Sequence, residues 1–284
     1  MSDTVTWREL WDETAAVVGD RPAARWLCEV AAGAVDGDEF LGMLDTEATV
    51  RMVAHLDAMT ARVRSGEPLQ YVLGEWSFRR ITLAIDRRVL IPRPETELVA
   101  EVALAKARSV PAPRVVADLG TGSGAIGLSI ASELPVDSTT VWLTDLDPDA
   151  LDLATANISG IGPAGANLRT ALGSWFEALP PDVCADVVVA NPPYVAVGSS
   201  ELAEDVRDWE PHRALFAGTD GLDDIRTIIG AAPDRLAAGG WLVLEIGSDQ
   251  GPSVAGLLRD AGFVEVEVRP DLAGRDRIAI ARRP

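Results

Sequence analysis

The sequence predicts an α/β domain on a mainly parallel sheet, preceded by a small helical domain and a β-hairpin. Three observations carry this prediction. Short apolar runs alternate with helical segments from Arg114 onward, and apolar residues before Arg64 recur at three- and four-residue spacing. Between these regions, Tyr71 to Phe78 and Ile81 to Ile85 read as extended segments around Arg79-Arg80.

In order along the chain, helical spacing runs through Leu10, Ala15, Val17 and Val18, then Leu27, Val30 and Ala31, then Val50, Val53, Ala54 and Leu56. Gly19-Asp20-Arg21-Pro22 and Val35 to Asp38 interrupt it, as a small bundle requires. Ser65-Gly66-Glu67-Pro68 closes this part. The expected domains are therefore 1–66 helical, 67–93 a hairpin linker, and 94–284 the α/β domain. Its apolar runs are Val115 to Leu119, Thr140 to Asp145, Asn167 to Leu172, Val183 to Ala190, Trp241 to Ile246, Val264 to Val268 and Arg277 to Ala281. No crossover helix fits between the last two, so they are expected to pair antiparallel at the sheet's end. Asn157 to Asn167, with its Gly-Pro-Ala-Gly-Ala stretch, reads as a loop.

Composition bounds the function. With 284 residues and 48% hydrophobic content the chain can bury a full core. No apolar stretch approaches the roughly 18 to 20 residues that cross a bilayer. Asp3, Arg8 and Glu9 interrupt the start, where a secretory signal would be apolar. Cys28 and Cys184 are far apart, each within an apolar run, so both thiols are expected to be buried in a reducing cytoplasm, without disulfide or zinc. A net charge of −19 opposes broad capture of nucleic acid. Arg79, Arg80, Arg87, Arg88 and Arg93 fall within fifteen residues and read either as a local basic patch or as the solvated face of a hairpin. His55 and His212 read as structural.

Chemistry concentrates at strand ends. Asp118-Leu119-Gly120-Thr121-Gly122-Ser123-Gly124 joins the first apolar run to a helical segment, Ala125 to Ser132, so its glycines lie where backbone approaches a ligand closely. Such a turn alone is weak evidence. The next run ends in Thr144-Asp145-Leu146-Asp147, placing Asp145 to accept hydrogen bonds from ribose hydroxyls of either NAD or S-adenosylmethionine. The run Asp186 to Ala190 ends in Asn191-Pro192-Pro193-Tyr194, which resembles the Asn/Asp-Pro-Pro-aromatic motif of methyltransferases acting on amino groups conjugated to planar systems. A structural alternative, a strand terminator before a core tyrosine, explains the prolines but not the asparagine.

The chemistry fits those residue types. An amide nitrogen has a delocalised lone pair and attacks a sulfonium methyl poorly. With the Asn191 side-chain oxygen and the Pro192 carbonyl each accepting one N–H, the nitrogen is held with its lone-pair face toward the methyl. Tyr194 stacked on the acceptor and facing the sulfonium adds ~0.5 to 2 kcal/mol.

Longer stretches specify a family. Glu67-Pro68-Leu69-Gln70-Tyr71, Leu73-Gly74-Glu75-Trp76, Leu90 to Glu97 (Leu-Ile-Pro-Arg-Pro-Glu-Thr-Glu), Asp118 to Gly124 and Asn191 to Tyr194 are followed by Asp205-Val206-Arg207, Glu210-Pro211, Asp220-Gly221-Leu222, Leu244 to Gly247 and Leu272 to Arg277. In this order they strongly resemble the release factor glutamine methyltransferases, the PrmC/HemK family. The resemblance runs from about residue 66 to the end. It implies a seven-stranded, Rossmann-like class I S-adenosylmethionine-dependent methyltransferase fold with a helical N-terminal substrate-binding domain. It implies S-adenosyl-L-methionine contacts at Gly120, Thr121, Gly122, Ser123, Gly124, Asp145, Trp175 and Asn191. Asn191, Pro192, Pro193 and Tyr194 would form the acceptor pocket, with Asn191, Pro192 and Tyr194 serving catalysis. Arg93 would stand at the pocket mouth toward the partner, while Glu95 and Glu97 read as helix N-terminal charge compensation. Trp175 also reads as a partly buried core aromatic. The expected substrate is the glutamine of the Gly-Gly-Gln motif in class 1 peptide chain release factors, methylated by a cytoplasmic monomer that uses no metal and binds neither nucleic acid nor membrane.

Two other readings remain. Asn-Pro-Pro-Tyr would equally serve a nucleic-acid adenine amino methyltransferase, although the first 75 residues hold six arginines against fourteen acids and offer no basic duplex-reading domain. A binding module or an NAD enzyme would use the glycine turn and Asp145 differently.

Overall fold

The computed structural model describes residues 5–199 and 204–284. Residues 1–4 of the expected helical domain, Asp3 among them, lie outside the described set, as does the side chain of Asp205. The chain divides into two compact units, Met1–Glu75 and Trp76–Pro284.

The first unit is helical: α1 Trp7–Val18, α2 Arg21–Ala32, α3 Gly37–Met43, α4 Val50–Arg64 and α5 Leu69–Leu73. Local chemistry sets the boundaries. Thr6 and Glu9 form a reciprocal capping box at the start of α1, and Asp20 caps α2, which has Pro22 in its first turn. The apolar faces meet in a core of Trp7, Leu27, Phe40 and Leu56, with Trp7 and Phe40 edge to face at 6.0 Å. Val72 of α5 is buried in the same cluster. Here the extended reading of Tyr71 to Leu73 is corrected. Those residues form a single helical turn between Pro68 and Gly74, too short for its periodicity to show.

A hairpin follows, β1 Glu75–Phe78 and β2 Ile81–Ala84, which from Trp76 on belongs to the second unit, then α6 Pro94–Ser109. The alternating part follows: β3 Arg114–Leu119, α7 Ala125–Glu133, β4 Thr139–Asp145, α8 Pro148–Gly160, β5 Leu168–Leu172 and β6 Ala185–Ala190. It ends with α9 Glu204–Trp209, α10 Asp223–Arg235, β7 Leu236–Glu245, α11 Gly251–Asp260, β8 Val264–Pro270 and β9 Asp276–Arg282. β3 to β9 form one seven-stranded sheet in the order β5-β4-β3-β6-β7-β9-β8. All pairings are parallel except those of β9 with β7 and with β8, so the antiparallel end is as expected. β6 and the carboxyl-terminal four residues of β3 and of β7 are almost wholly buried, which explains why they read as unbroken apolar runs. The order reverses between β3 and its neighbours β4 and β6, and a crevice opens beyond their carboxyl ends.

Three further expectations change. Cys28 is buried, its thiol pushed up to about 12 by desolvation, but Cys184 is exposed because β6 begins only at Ala185. Asn157 to Asn167 is not a plain loop. α8 runs through it to Gly160, a 3-10 turn covers Gly162–Asn167, and Asn157 joins β2 to the glycine turn through Ala84 N, Ala84 O and Ser123 O. The arginines of residues 79–93 do not form one patch. Arg79 pairs with Glu133 at 2.8 Å, Arg88 with Asp86 at 2.6 Å and Arg93 with Glu210 at 2.5 Å, while Arg87 lies over the Trp209 ring. Among the described residues no helix is long and apolar enough to cross a membrane.

Candidate active site

The crevice is built where a strand hands over to a helix. Beyond β3, Thr121 N donates to Thr144 O of β4 at 2.8 Å and Gly122 N donates to Asp145 Oδ2 at 2.9 Å, so the turn is tied to the neighbouring strand tip. Asp118 supports it from beneath: its Oδ2 accepts from Thr121 Oγ1 at 2.6 Å and from Gly127 N at 2.9 Å. Burial pushes the Asp118 carboxyl up to about 6 against these two donations. Burial also raises the Asp145 carboxyl, which accepts from Gly122 and Asp147 backbone and keeps further lone pairs for a ligand.

Opposite the turn stands Trp175, at φ +45°, an uncommon conformation for a bulky residue. Its Nε1 donates to Asp224 Oδ1 at 3.2 Å, and a Cβ built on Gly120 would lie 2.9 Å from its ring. The aromatic face thus covers bare backbone, which only glycine permits.

At the tip of β6, Asn191 Nδ2 donates to Thr96 Oγ1 of α6 at 3.4 Å, and Thr96 Oγ1 donates to Glu245 Oε2 of β7 at 2.7 Å. Tyr194 OH donates to Glu245 Oε1 at 3.2 Å. Burial strongly raises the Tyr194 hydroxyl pKa, with the Glu245 charge adding to it. Gln250 Nε2 donates to Tyr194 O at 3.0 Å, and Val195 pairs with Phe216, fixing the loop after the motif.

One cleft gathers Gly120, Thr121, Gly122, Ser123, Asp145, Trp175, Asn191 and Pro193. Of the expected site residues, Gly124, Pro192, Tyr194 and Arg93 do not line it. Gly124 closes the turn at the start of α7, its N–H on Thr121 O. Arg93 is held by Glu210, whose other oxygen accepts from Ile91 N at 3.1 Å. Sequence reasoning missed Thr96, Asp224 and Glu245. Thr96 and Glu245 stood within the stretches Leu90 to Glu97 and Leu244 to Gly247 without a role of their own, and nothing in the sequence around Asp224 marked it.

Comparison with known proteins follows the same lines. Residues 97–206 match the methyltransferase small domain family. The chain is 43% identical over 242 residues to the release factor glutamine methyltransferase of Cereibacter sphaeroides, covering 85% of this chain and 82% of that one. The chain belongs to the release factor glutamine methyltransferases. A second release factor glutamine methyltransferase, from Neisseria gonorrhoeae, is 42% identical over 227 residues, covering 80% of each chain. The fold is also that of a T. thermophilus 16S rRNA N2 G1207 methyltransferase solved with AdoMet and guanosine, with a TM-score of 0.51 at 19% identity, covering 74% of this chain and 50% of that one. The family resemblance and the seven-stranded methyltransferase fold expected from the sequence are thereby confirmed.

Proposed function

We propose that the cleft holds S-adenosylmethionine, and that the methyl acceptor is the side-chain amide nitrogen of the glutamine in the Gly-Gly-Gln motif of class 1 release factors. As a member of its family, the chain is a protein-glutamine methyltransferase. One observation carries the site assignment: Asn191 and Pro193 of the acceptor motif line the same cleft as the glycine turn and Asp145.

The residues present suit this cofactor. Asp145 keeps acceptor capacity for ribose hydroxyls, and Trp175 offers its ring beside the bare turn at Gly120. The cleft's two arginines are committed, Arg88 to Asp86 and Arg213 to Asp147 at 3.2 Å, so neither stands ready for a diphosphate, while the acidic Asp145 and Asp224 favour a cation. This supports a sulfonium nucleoside over NAD. When bound, S-adenosylmethionine supplies an electrophilic methyl on sulfur.

The chain's own residues then have to orient a weak nucleophile. Asn191 Oδ1 and the Pro192 carbonyl accept the two amide N–H groups, and the partly exposed Tyr194 ring offers a face to the planar amide. No strong base is required, since the nitrogen becomes strongly acidic on methylation and releases its proton to water. Arg93, held by Glu210, stands toward the protein substrate, and the helical unit assists in binding it. A release factor as substrate places the reaction in the cytoplasm, where it tunes termination.

The test is incubation with purified release factor and methyl-labelled S-adenosylmethionine, followed by peptide mass mapping. One methyl on the Gly-Gly-Gln glutamine is expected, and Asn191→Ala is expected to lower transfer on the order of 100-fold with cofactor affinity retained. Label on DNA or RNA instead would favour an adenine amino methyltransferase.

A further inference from the structure

Resting on the proposed role of Asn191, we infer that Thr96 and Glu245 are positioning residues that fix which way round the Asn191 amide faces. An asparagine amide has two ends of nearly equal shape, one accepting and one donating, and only its partners decide between them. A flipped Asn191 would meet the N–H groups of an acceptor amide with further N–H groups, and the nitrogen would not be held.

The hydroxyl of Thr96 breaks the symmetry. It carries one proton, and that proton goes to Glu245 Oε2 at 2.7 Å. Toward Asn191, 3.4 Å away, Thr96 Oγ1 can then only accept. The Asn191 Nδ2 must therefore turn to Thr96, which leaves Oδ1 as the atom offered on the other side of the amide. Thr96 is 3% exposed and Glu245 1%, so the bond between them is shielded from water.

Glu245 secures the arrangement from behind. Its second oxygen accepts from Tyr194 OH at 3.2 Å, and Arg277 Nη1 stands 3.4 Å from that hydroxyl while bonded to Ile246 O at 2.9 Å. One carboxyl thus grips the Asn-Pro-Pro-Tyr motif at both ends, through Thr96 and through Tyr194. Burial pushes this carboxyl up to about 7, opposed by the donation from Thr96, the charge of Arg277 and the donation from Tyr194. The relay uses the ionised form of this carboxyl, which these three groups favour and burial opposes.

Thr96→Val keeps the shape and removes both hydrogen-bonding functions, whereas Thr96→Ser keeps the hydroxyl. With release factor as substrate, Thr96→Val is expected to lower kcat about 10- to 100-fold, with KM and cofactor Kd within about threefold of wild type, and Thr96→Ser to restore kcat to within about threefold. Full kcat in Thr96→Val, a loss confined to KM, or a Thr96→Ser variant as impaired as Thr96→Val would overturn the inference. If Thr96→Val does not fold, Thr96→Ala carries the same expectations. Asn191→Ala separates the two possible failures. Turnover retained there removes Asn191 itself from the reaction, and the relay with it, whereas an inactive Asn191→Ala beside a fully active Thr96→Val overturns the relay alone.

Discussion

At the residue scale, Asp118 shows how a buried carboxyl serves the site without touching a ligand. Both of its hydrogen bonds fall on Oδ2, and Oδ1 is buried with no partner. Asparagine keeps an oxygen for the first position, removes the charge and sets an NH2 without a partner at the second, a cost that does not vary with pH. The folded pKa of about 6 lies above the ordinary 3.8, so the folded chain holds the proton more tightly than the unfolded one. The stability this contributes is fully present below the unfolded pKa and is lost as pH rises through 6. Asp118→Asn lacks this loss. Wild type is therefore expected to fall relative to the variant by about 2 kcal/mol between pH 4 and pH 6.5, then to run parallel to it. Thermal melts of both proteins across this range check the sign, and a constant gap would show that the carboxyl is not raised.

The strand-turn-helix from β3 to α7 is the element whose form was most legible. Its glycines predicted close backbone approach, but which approach was left to the fold. Gly120 has φ +68° and Gly122 φ +55°, so alanine at either position incurs left-handed strain of about 1 to 2 kcal/mol. At Gly120 a Cβ would also press on Trp175 at 2.9 Å, whereas at Gly122 nothing lies within 4 Å. Urea unfolding is expected to show a larger loss for Gly120→Ala than for Gly122→Ala, by about 1 kcal/mol or more, with m unchanged. Equal losses would mean that Trp175 moves aside freely. The helix Leu69–Leu73 was illegible for the opposite reason: five residues between Pro68 and Gly74 contain too little of a period.

For the whole molecule, the division into two units has a functional consequence. Every described residue lining the cleft belongs to the second unit, which has its own core of Leu119, Val188, Ile225, Leu244 and Ile280, among others. The first unit closes its own core around Trp7, Leu27 and Phe40. A fragment of residues 75–284, which keeps the hairpin whole, is expected to bind S-adenosylmethionine within about threefold of the full chain. With the helical unit proposed to assist substrate binding, its kcat/KM on release factor is expected to fall, mainly through KM. Calorimetry and steady-state kinetics on the fragment check both parts, and an unchanged kcat/KM would remove the helical unit from substrate binding.

What the sequence by itself determined is whatever a few consecutive residues encode. The apolar runs marked the strands of a parallel sheet because both faces of such a strand are buried. The glycine turn, Asp145 and Asn191 to Tyr194 were visible because each is a contiguous motif at a strand end, and the longer stretches before, between and after them carried the family resemblance. Tertiary structure alone decided the contacts between distant positions. Thr96 and Glu245 are 149 residues apart, and Trp175 and Asp224 are 49 apart. The dispersal of Arg79, Arg87, Arg88 and Arg93 onto separate partners was equally hidden. Strand order and register bring such groups within hydrogen-bonding distance, and no local pattern in the chain records which distant partner a polar side chain will meet.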